Sequence, residues 1–400
     1  MAVEITSGVL EKVFVKAQTF GTFVAMVAGD SAHPVKGSFK LEPFVNFEKT
    51  KEAVGSASLQ GEAKLDRGGK WSGSFYIRPG ALGVAPDIGP LLKAAMGVET
   101  ITGSTSSVYT LSDAVTLTPT ATLGSALQFM HVVDGHWSQF ASGAWVEQMV
   151  INVPGNGIPT IDFSGGFAQF GWCYRDDIAG GEATGQTEIG IDDASRGCVH
   201  EPAMCEFAGD DGLSNAGYII TGHDNTTGSA HFDINPAIQG AGLSGGAEIL
   251  PFVLAGTAPS GTLLSAVECA LTFGSISPGF TDAKITLETG IGPRDKEATT
   301  EYASAIGRIA ERSVEADLSF YFTDTAAGFS PLVGYAHDGT TYDVDLRVGP
   351  NTAAKRMALS IPKGRLDIQQ HDLGELIMCS GKVIARQSST AADEFAISLL

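Results

Sequence analysis

Charge is scarce in this chain, and basic charge scarcer still. Charged residues make up 18% of its 400 positions, with 25 Lys and Arg against 45 Asp and Glu. The formal net charge of −20 leaves no excess of cations to grip phosphates, so tight or sequence-specific nucleic-acid binding is not expected. Cysteine is sparse as well. Cys173, Cys198, Cys205, Cys269 and Cys379 are an odd number in a long chain, which does not read as a secreted disulfide framework, and free thiols are expected. No run of 18 apolar residues occurs; the longest, such as 249–255 with Pro251 inside it, have the length of a strand. Ahead of the stretch 20–28, Glu4 and Glu11 balance Lys12 and Lys16, so a strand is expected there rather than a signal peptide.

Reaction-centre motifs are missing too. G-x-S-x-G and the phosphate-binding G-x-x-x-x-G-K-[ST] are absent. Gly240-Ala-Gly242-Leu-Ser-Gly245 fits G-x-G-x-x-G, but Pro236 stands just before it and the strand-like 248–254 follows, so the glycines read as turn residues rather than a dinucleotide site. Cys198, His200 and Cys205 group metal-ligand types, with His223 as a fourth, yet C-x-H-x-x-x-x-C is not a zinc spacing; a Cys198–Cys205 disulfide is the other reading. The doublets Asp176-Asp177, Asp192-Asp193 and Asp210-Asp211 lack the twelve-residue calcium-loop pattern and read as solvated turns. His131 and His136 flank the turn Asp134-Gly135 and are expected at the surface. No catalytic residue, cofactor or metal is expected, and the chain does not read as an enzyme.

What is present is β-forming sequence: 43% hydrophobic residues, 50 Gly and 17 Pro favour short strands joined by tight turns. Three segments separate by charge. Residues 1–172 carry 11 Lys/Arg against 14 Asp/Glu, 173–262 carry 2 against 13, and 263–400 carry 12 against 18, for nets of −3, −11 and −6. The middle segment opens with an acidic Gly-rich run and predicts a small β module. One helix is predicted over Asp87 to Met96, with Asp87 as N-cap, Pro90 in the first turn and Gly97 as the stop.

The outer segments share a repeat. Val35 to Ile77 realigns on Phe280 to Phe322: Phe39-Lys-Leu-Glu42 falls on Ile285-Thr-Leu-Glu288, 246 residues apart, and Phe75-Tyr-Ile77 on Phe320-Tyr-Phe322, 245 apart. Met149-Val-Ile-Asn-Val-Pro-Gly155 resembles Met357-Ala-Leu-Ser-Ile-Pro-Lys363, and Ile161-Asp-Phe163 resembles Leu366-Asp-Ile368. Ser330 to Ala336 is the counterpart of the first helix, and 99–135 is an insertion in the first copy. Matched polar stretches, 47–70 and 292–315, read as contact-making loops. A unit folded twice offers two copies of one surface, which suits assembly.

Three stretches resemble the tail tube (major tail) proteins of long-tailed, siphovirus-like bacteriophages. They are Lys70-Trp-Ser-Gly-Ser-Phe-Tyr-Ile-Arg-Pro79 with 83–97 after it, then Ser142-Gly-Ala-Trp-Val-Glu-Gln-Met-Val-Ile-Asn-Val153 running into Ile161-Asp-Phe-Ser-Gly-Gly-Phe167, and Gly217-Tyr-Ile-Ile-Thr-Gly-His223 with 306–322. The resemblance implies a mainly β fold with two tandem β-sandwich domains, 1–172 and 263–400, each with a short flanking helix, and the β module 173–262 between them. It implies a virion subunit made in the host bacterial cytoplasm, stacked as rings of trimers in a pseudo-sixfold arrangement, with DNA passing through the lumen without specific binding. Tape-measure, tail terminator and distal tail proteins are the implied partners, besides further copies of the chain. Inter-ring contacts are expected at Glu48, Lys49, Lys51, Glu52, Asp66, Arg67, Arg294, Lys296, Glu297, Glu311 and Arg312. The alternative is a β-sandwich adhesin or a capsid decoration protein with the middle module as a binding head.

Overall fold

The computed structural model describes residues 11–49, 62–113, 126–133, 135–209, 217–240, 242–293, 303, 305–321, 329–373, 377–388 and 392–400. The chain begins with β1 (Glu11–Gln18), β2 (Ser31–Ala32) and the long hairpin β3 (Lys40–Lys49) and β4 (Glu62–Tyr76). Helix α1 (Gly89–Met96), the hairpin β5 (Gly97–Thr102) and β6 (Ser106–Leu111), then β7 (Ala126–Val133), β8 (Trp137–Ala144), β9 (Gln148–Val153), β10 (Thr160–Phe167) and β11 (Gln169–Tyr174) follow. The middle segment holds β12 (Asp176–Asp177), β13 (Glu188–Gly190), β14 (Val199–His200), β15 (Ala203–Phe207), β16 (Tyr218–Asp224), β17 (His231–Asn235) and β18 (Glu248–Pro251). Next come β19 (Ala270–Phe273), β20 (Gly279–Glu288), β21 (Ile291–Pro293), β22 (Ile306–Arg308) and β23 (Ser313–Tyr321). Helix α2 (Phe329–Asp338), β24 (Thr341–Val348), β25 (Met357–Leu373), β26 (Ile377–Ala385) and β27 (Ala396–Leu399) complete it. The protein is mainly β, in several sheets.

The largest sheet runs β3-β4-β10-β9-β20-β23-β26-β25-β27-β6-β5, with β24 and β19 joined through β25. A second sheet, β14-β11-β8-β7-β1-β2, lies over its first strands. Between the two, Val13, Val15, Leu127 and Phe129 pack on Trp71, Phe75, Ile161 and Phe163; the Trp71 and Phe129 rings are 4.5 Å apart. Strands 7 and 1 are apolar on both faces because the opposite face is covered as well. Phe14, Met130, Val132 and Phe140 point away from that core into another, built with Ile189, Met204, Tyr218 and Phe232 of the middle segment. The middle segment thus forms its own sheet, β12-β18-β15-β16-β17-β13, seated on the far side of the second sheet.

Several sequence expectations change. The 172/173 division falls inside β11, which continues to Tyr174 because it pairs with β8 over its full length. The first-copy insertion is shorter than 99–135: β7 from Ala126 onward is a sheet strand, and it is the β5–β6 hairpin that is added. That hairpin pairs through β6 with β27, so residues 97–111 complete a sheet formed by the chain's C-terminal strands. Met357–Lys363 and Leu366–Ile368 are not two strands but parts of one, β25. Its partner changes at Pro362, where a bulge interrupts the ladder; Met357–Ile361 pairs with β24, and Gly364 onward also with β26. Both helices form where expected, but Asp87 does not cap α1. Ile88 is the N-cap residue, and the Asp87 carboxylate bonds His33 and Ser260 instead. His131 is buried, within 3.0 Å of Glu11 Oε1, because β7 has no solvent-facing side.

Candidate functional site

The run β3-β4-β10-β9-β20-β23-β26-β25 has one covered face and one open face. On the covered face Met149, Ile151, Val153, Ile161, Phe163, Leu318 and Phe320 are buried, and the residues between them turn outward. Strict alternation in β9, β10 and β23 produces this two-faced sheet directly from sequence. The open face is polar and bonded across strands. Asn152 Nδ2 donates to Asp162 Oδ2 at 2.7 Å, Ser74 Oγ donates to Asp162 Oδ1, and Lys382 Nζ meets Glu315 Oε2 at 2.6 Å. A depression of about 380 Å³ lies among Ser38, Ser74, Asn152, Asp162 and Lys284. Cations and carboxylates are interspersed here: Lys40, Lys284 and Lys382 stand among Glu42, Glu288, Glu315 and Asp317.

This run also has two unfinished edges. Among the described residues β3 pairs only with β4, and the 366–373 part of β25 pairs only with β26. Such edges expose backbone N–H and C=O groups to any strand that docks. Pro43 lies in β3, and an edge strand is where a sheet tolerates proline. The middle of the run has no such gap. There β9 and β20 pair antiparallel from Gln148↔Glu288 to Val153↔Ala283. Thr289 seals the joint, its N–H donating to Glu147 O at 2.9 Å and its hydroxyl to Val146 O at 2.7 Å.

The matched polar stretches are hairpin arms over their described parts rather than irregular loops. β3 and β4 stay paired out to Lys49↔Glu62, and β21 pairs with β22. The second arm folds onto the first half of the chain, where Ile306 and Ile291 pack with Trp145, Ala126 and Phe20. The first arm leaves Phe44 and Val45 exposed at 41% and 44%, above a groove of about 220 Å³ shared with Arg67, Phe170 and Trp172.

The residues expected at inter-ring contacts are distributed as follows. Glu48 and Lys49 end β3, and Asp66 lies in β4, their side chains outside the described residues; Lys51, Glu52, Arg294, Lys296 and Glu297 lie outside them entirely. Arg67 is half-buried along the first groove, and Glu311 is exposed. Arg312 turns inward. Its side chain is 6% exposed and its Nη2 donates to Glu394 at 2.7 and 2.9 Å and to Asp113 at 3.1 Å, while Nη1 donates to Ser112 O at 3.0 Å. It thereby ties the second arm's base to the end of the β5–β6 insertion, leaving little of it for a neighbour.

Of the suspected metal-ligand group, the structure brings together His200 and His223 but not the cysteines. Cys198 and Cys205 lie in the apolar core of the middle segment as free thiols, which removes the disulfide reading. Burial pushes the Cys198 thiol up to about 12, away from the thiolate form a metal or nucleophile needs. Glu201, which sequence reading passed over, stands beside both histidines. Its proximity to His200 in sequence was the only available signal.

No protein-family model matches the chain, and no curated protein matches it.

Proposed function

We propose that this protein is the structural subunit of a phage-type tail tube, and that it builds rings from three chains. One observation carries the reading: the chain pairs with itself at β9–β20 in the way that its free edges call for between chains. The pairing scheme occurs twice. In the first half β1-β7-β8-β11 lie over β3-β4-β10-β9; in the second, β19-β24-β25-β27 adjoin β20-β23-β26-β25, with β25 serving both layers by bending at Pro362. Each half is thus read as a β-sandwich with one flanking helix. In this scheme β20 is the counterpart of β3, β26 of β10 and the end of β25 of β9, one strand away from the sequence likeness of 357–363 to β9 and of Leu366–Ile368 to β10. The closed β9–β20 joint therefore supplies a template for a joint between β25 of one chain and β3 of the next.

Eight strands per chain then continue around three chains into a closed barrel, which leaves neither edge of this run unpaired. The arms support the same arrangement. The second arm packs on the half before it, so the first arm, with Phe44 and Val45 uncovered, has its equivalent seat on the second half of a neighbouring chain. The polar face becomes the lumen. Its mixed charges make the lumen less acidic than the net charge of −20 suggests, since the segment with net −11 sits on the outer side. The DNA passage, tail partners and virion location named from the resemblance belong to this same reading.

Negative-stain microscopy of the purified full-length chain tests it. Threefold rings or tubes with a central channel are expected. Monomers at all concentrations and salt conditions, or fibre-like heads, would sink the reading and favour an adhesin or decoration protein.

A further inference from the structure

Three ligand-type side chains converge where the middle segment meets β11. The ligand atoms of His200, Glu201 and His223 all lie within 4.8 Å of one another, and the two imidazole rings are 4.2 Å apart between centroids. Glu201 Oε2 is in contact with His223 Nδ1. His200 Nδ1 is 2.6 Å from the carbonyl oxygen of Glu201. A carbonyl only accepts, so that nitrogen carries the proton and Nε2 keeps its lone pair; proteins commonly fix a metal-binding imidazole by this device. The ring is held from its other side by Trp172, stacked at 4.5 Å, whose own Nε1 donates to Gly197 O at 2.8 Å. Two oriented imidazoles and a carboxylate, partly open to solvent, match the three-ligand zinc sites that keep a fourth position for water.

We propose that His200, Glu201 and His223 bind a divalent transition-metal ion, with zinc the best match to two nitrogens and one oxygen. The placement puts the ion between two sheets. His200 lies on β14, which pairs with β11 of the second sheet, whereas His223 lies on β16 of the middle segment's own sheet. One ion at this point clasps the two sheets together. A second cluster, Glu188, His231 and Asp233, has an exposed glutamate and no aromatic support, and it serves as the internal control.

The test titrates zinc chloride into metal-stripped full-length protein by calorimetry, with tryptophan fluorescence and thermal melting in parallel. Expected are saturable binding of one equivalent, a fluorescence change from Trp172, and a melting temperature raised by zinc. His223→Ala and Glu201→Gln should each weaken binding by about tenfold or more, whereas His231→Ala leaves it intact. Melting of each variant without metal reports whether it is folded, and Glu201→Gln keeps the side-chain size should His223→Ala fail. Absence of saturable binding, or any pattern in which folded Glu201→Gln and His223→Ala bind as the native chain does, overturns the proposal. Loss of binding in His231→Ala overturns it too.

Discussion

Ile151 faces Ile285 across the ladder between β9 and β20, and both are buried, at 0% and 3% exposure. That pair joins the two halves of the repeat through backbone bonds and core packing together. A fold that closes one such joint internally and, among the described residues, leaves both ends of the same run with one partner each invites tests at the edges, at the seams and in the core.

At the first arm, replacing the exposed Phe44 or Val45 by Asp should abolish ring and tube formation while leaving the isolated chain folded. Each is more than a third exposed in the single chain, so the charge disturbs little until a neighbour must cover it. Sedimentation and thermal melting of the same sample check both halves of this statement. Assembly of the variants at the native level would show that the arm's apolar surface is not a contact.

The Arg312–Glu394 fork predicts a stability effect instead. Arg312→Ala strands a half-buried carboxylate and should cost about 3 kcal/mol, the scale of breaking a buried pair. Arg312→Lys should recover only part, since an ammonium does not reproduce the two parallel bonds. Urea unfolding of the three proteins measures it.

A pH dependence follows from the clasp around Asp87. His33 Nδ1 lies 3.1 Å from Asp87 Oδ2, and its Nε2 lies 2.7 Å from Thr257 O. The hydrogen bond with Asp87 raises the His33 pKa above its ordinary 6.5. Burial pushes Asp87 upward, but the bonds from His33 and Ser260 outweigh it and hold the carboxyl below 3.8. The histidine's contribution is complete below pH 6.5 and is lost as pH rises through its higher folded value. The aspartate's is complete above pH 3.8 and is lost as pH falls through its lower folded value. The melting-temperature difference between native protein and Asp87→Asn should therefore be largest between about pH 4 and 6.5 and shrink as pH rises through the raised His33 pKa. A difference that grows with rising pH would contradict the pairing.

The thiols should behave as buried groups outside any disulfide. Cys173, Cys198, Cys205 and Cys379 are buried, Cys269 is half-buried, and none of the five forms a disulfide. A thiol reagent should modify at most Cys269 quickly in the native chain, all five react after unfolding, and reductant leave the melting temperature unchanged.

How much of this was readable beforehand depended on whether a feature was local. The strands β3, β4, β20 and β23 begin or end where the repeat put its apolar ends, because period-two alternation of buried and outward residues is written in each strand by itself, whereas the pairing of β3 with β4 along the polar stretch between them was not expected. Helix α1 was legible from Pro90 and Gly97. The role of Asp87 was not, since His33 and Ser260 lie 54 and 173 residues away in the chain. Nor was the continuity of β25, in which Pro362 falls at a bulge.

Local pattern alone was enough for a mainly β chain, a duplicated stretch of β-forming sequence, two short helices and an acidic segment between the copies. Composition and alternation act over a few residues and suffice for these. Only the tertiary structure decided that residues 97–111 complete a sheet with the C-terminal strand, that the middle segment covers the far face of β1, β7 and β8, and that His200, Glu201 and His223 meet. Each depends on pairing or burial between distant segments, and hydrophobic burial rewards any apolar surface alike until the backbone ladders select one partner.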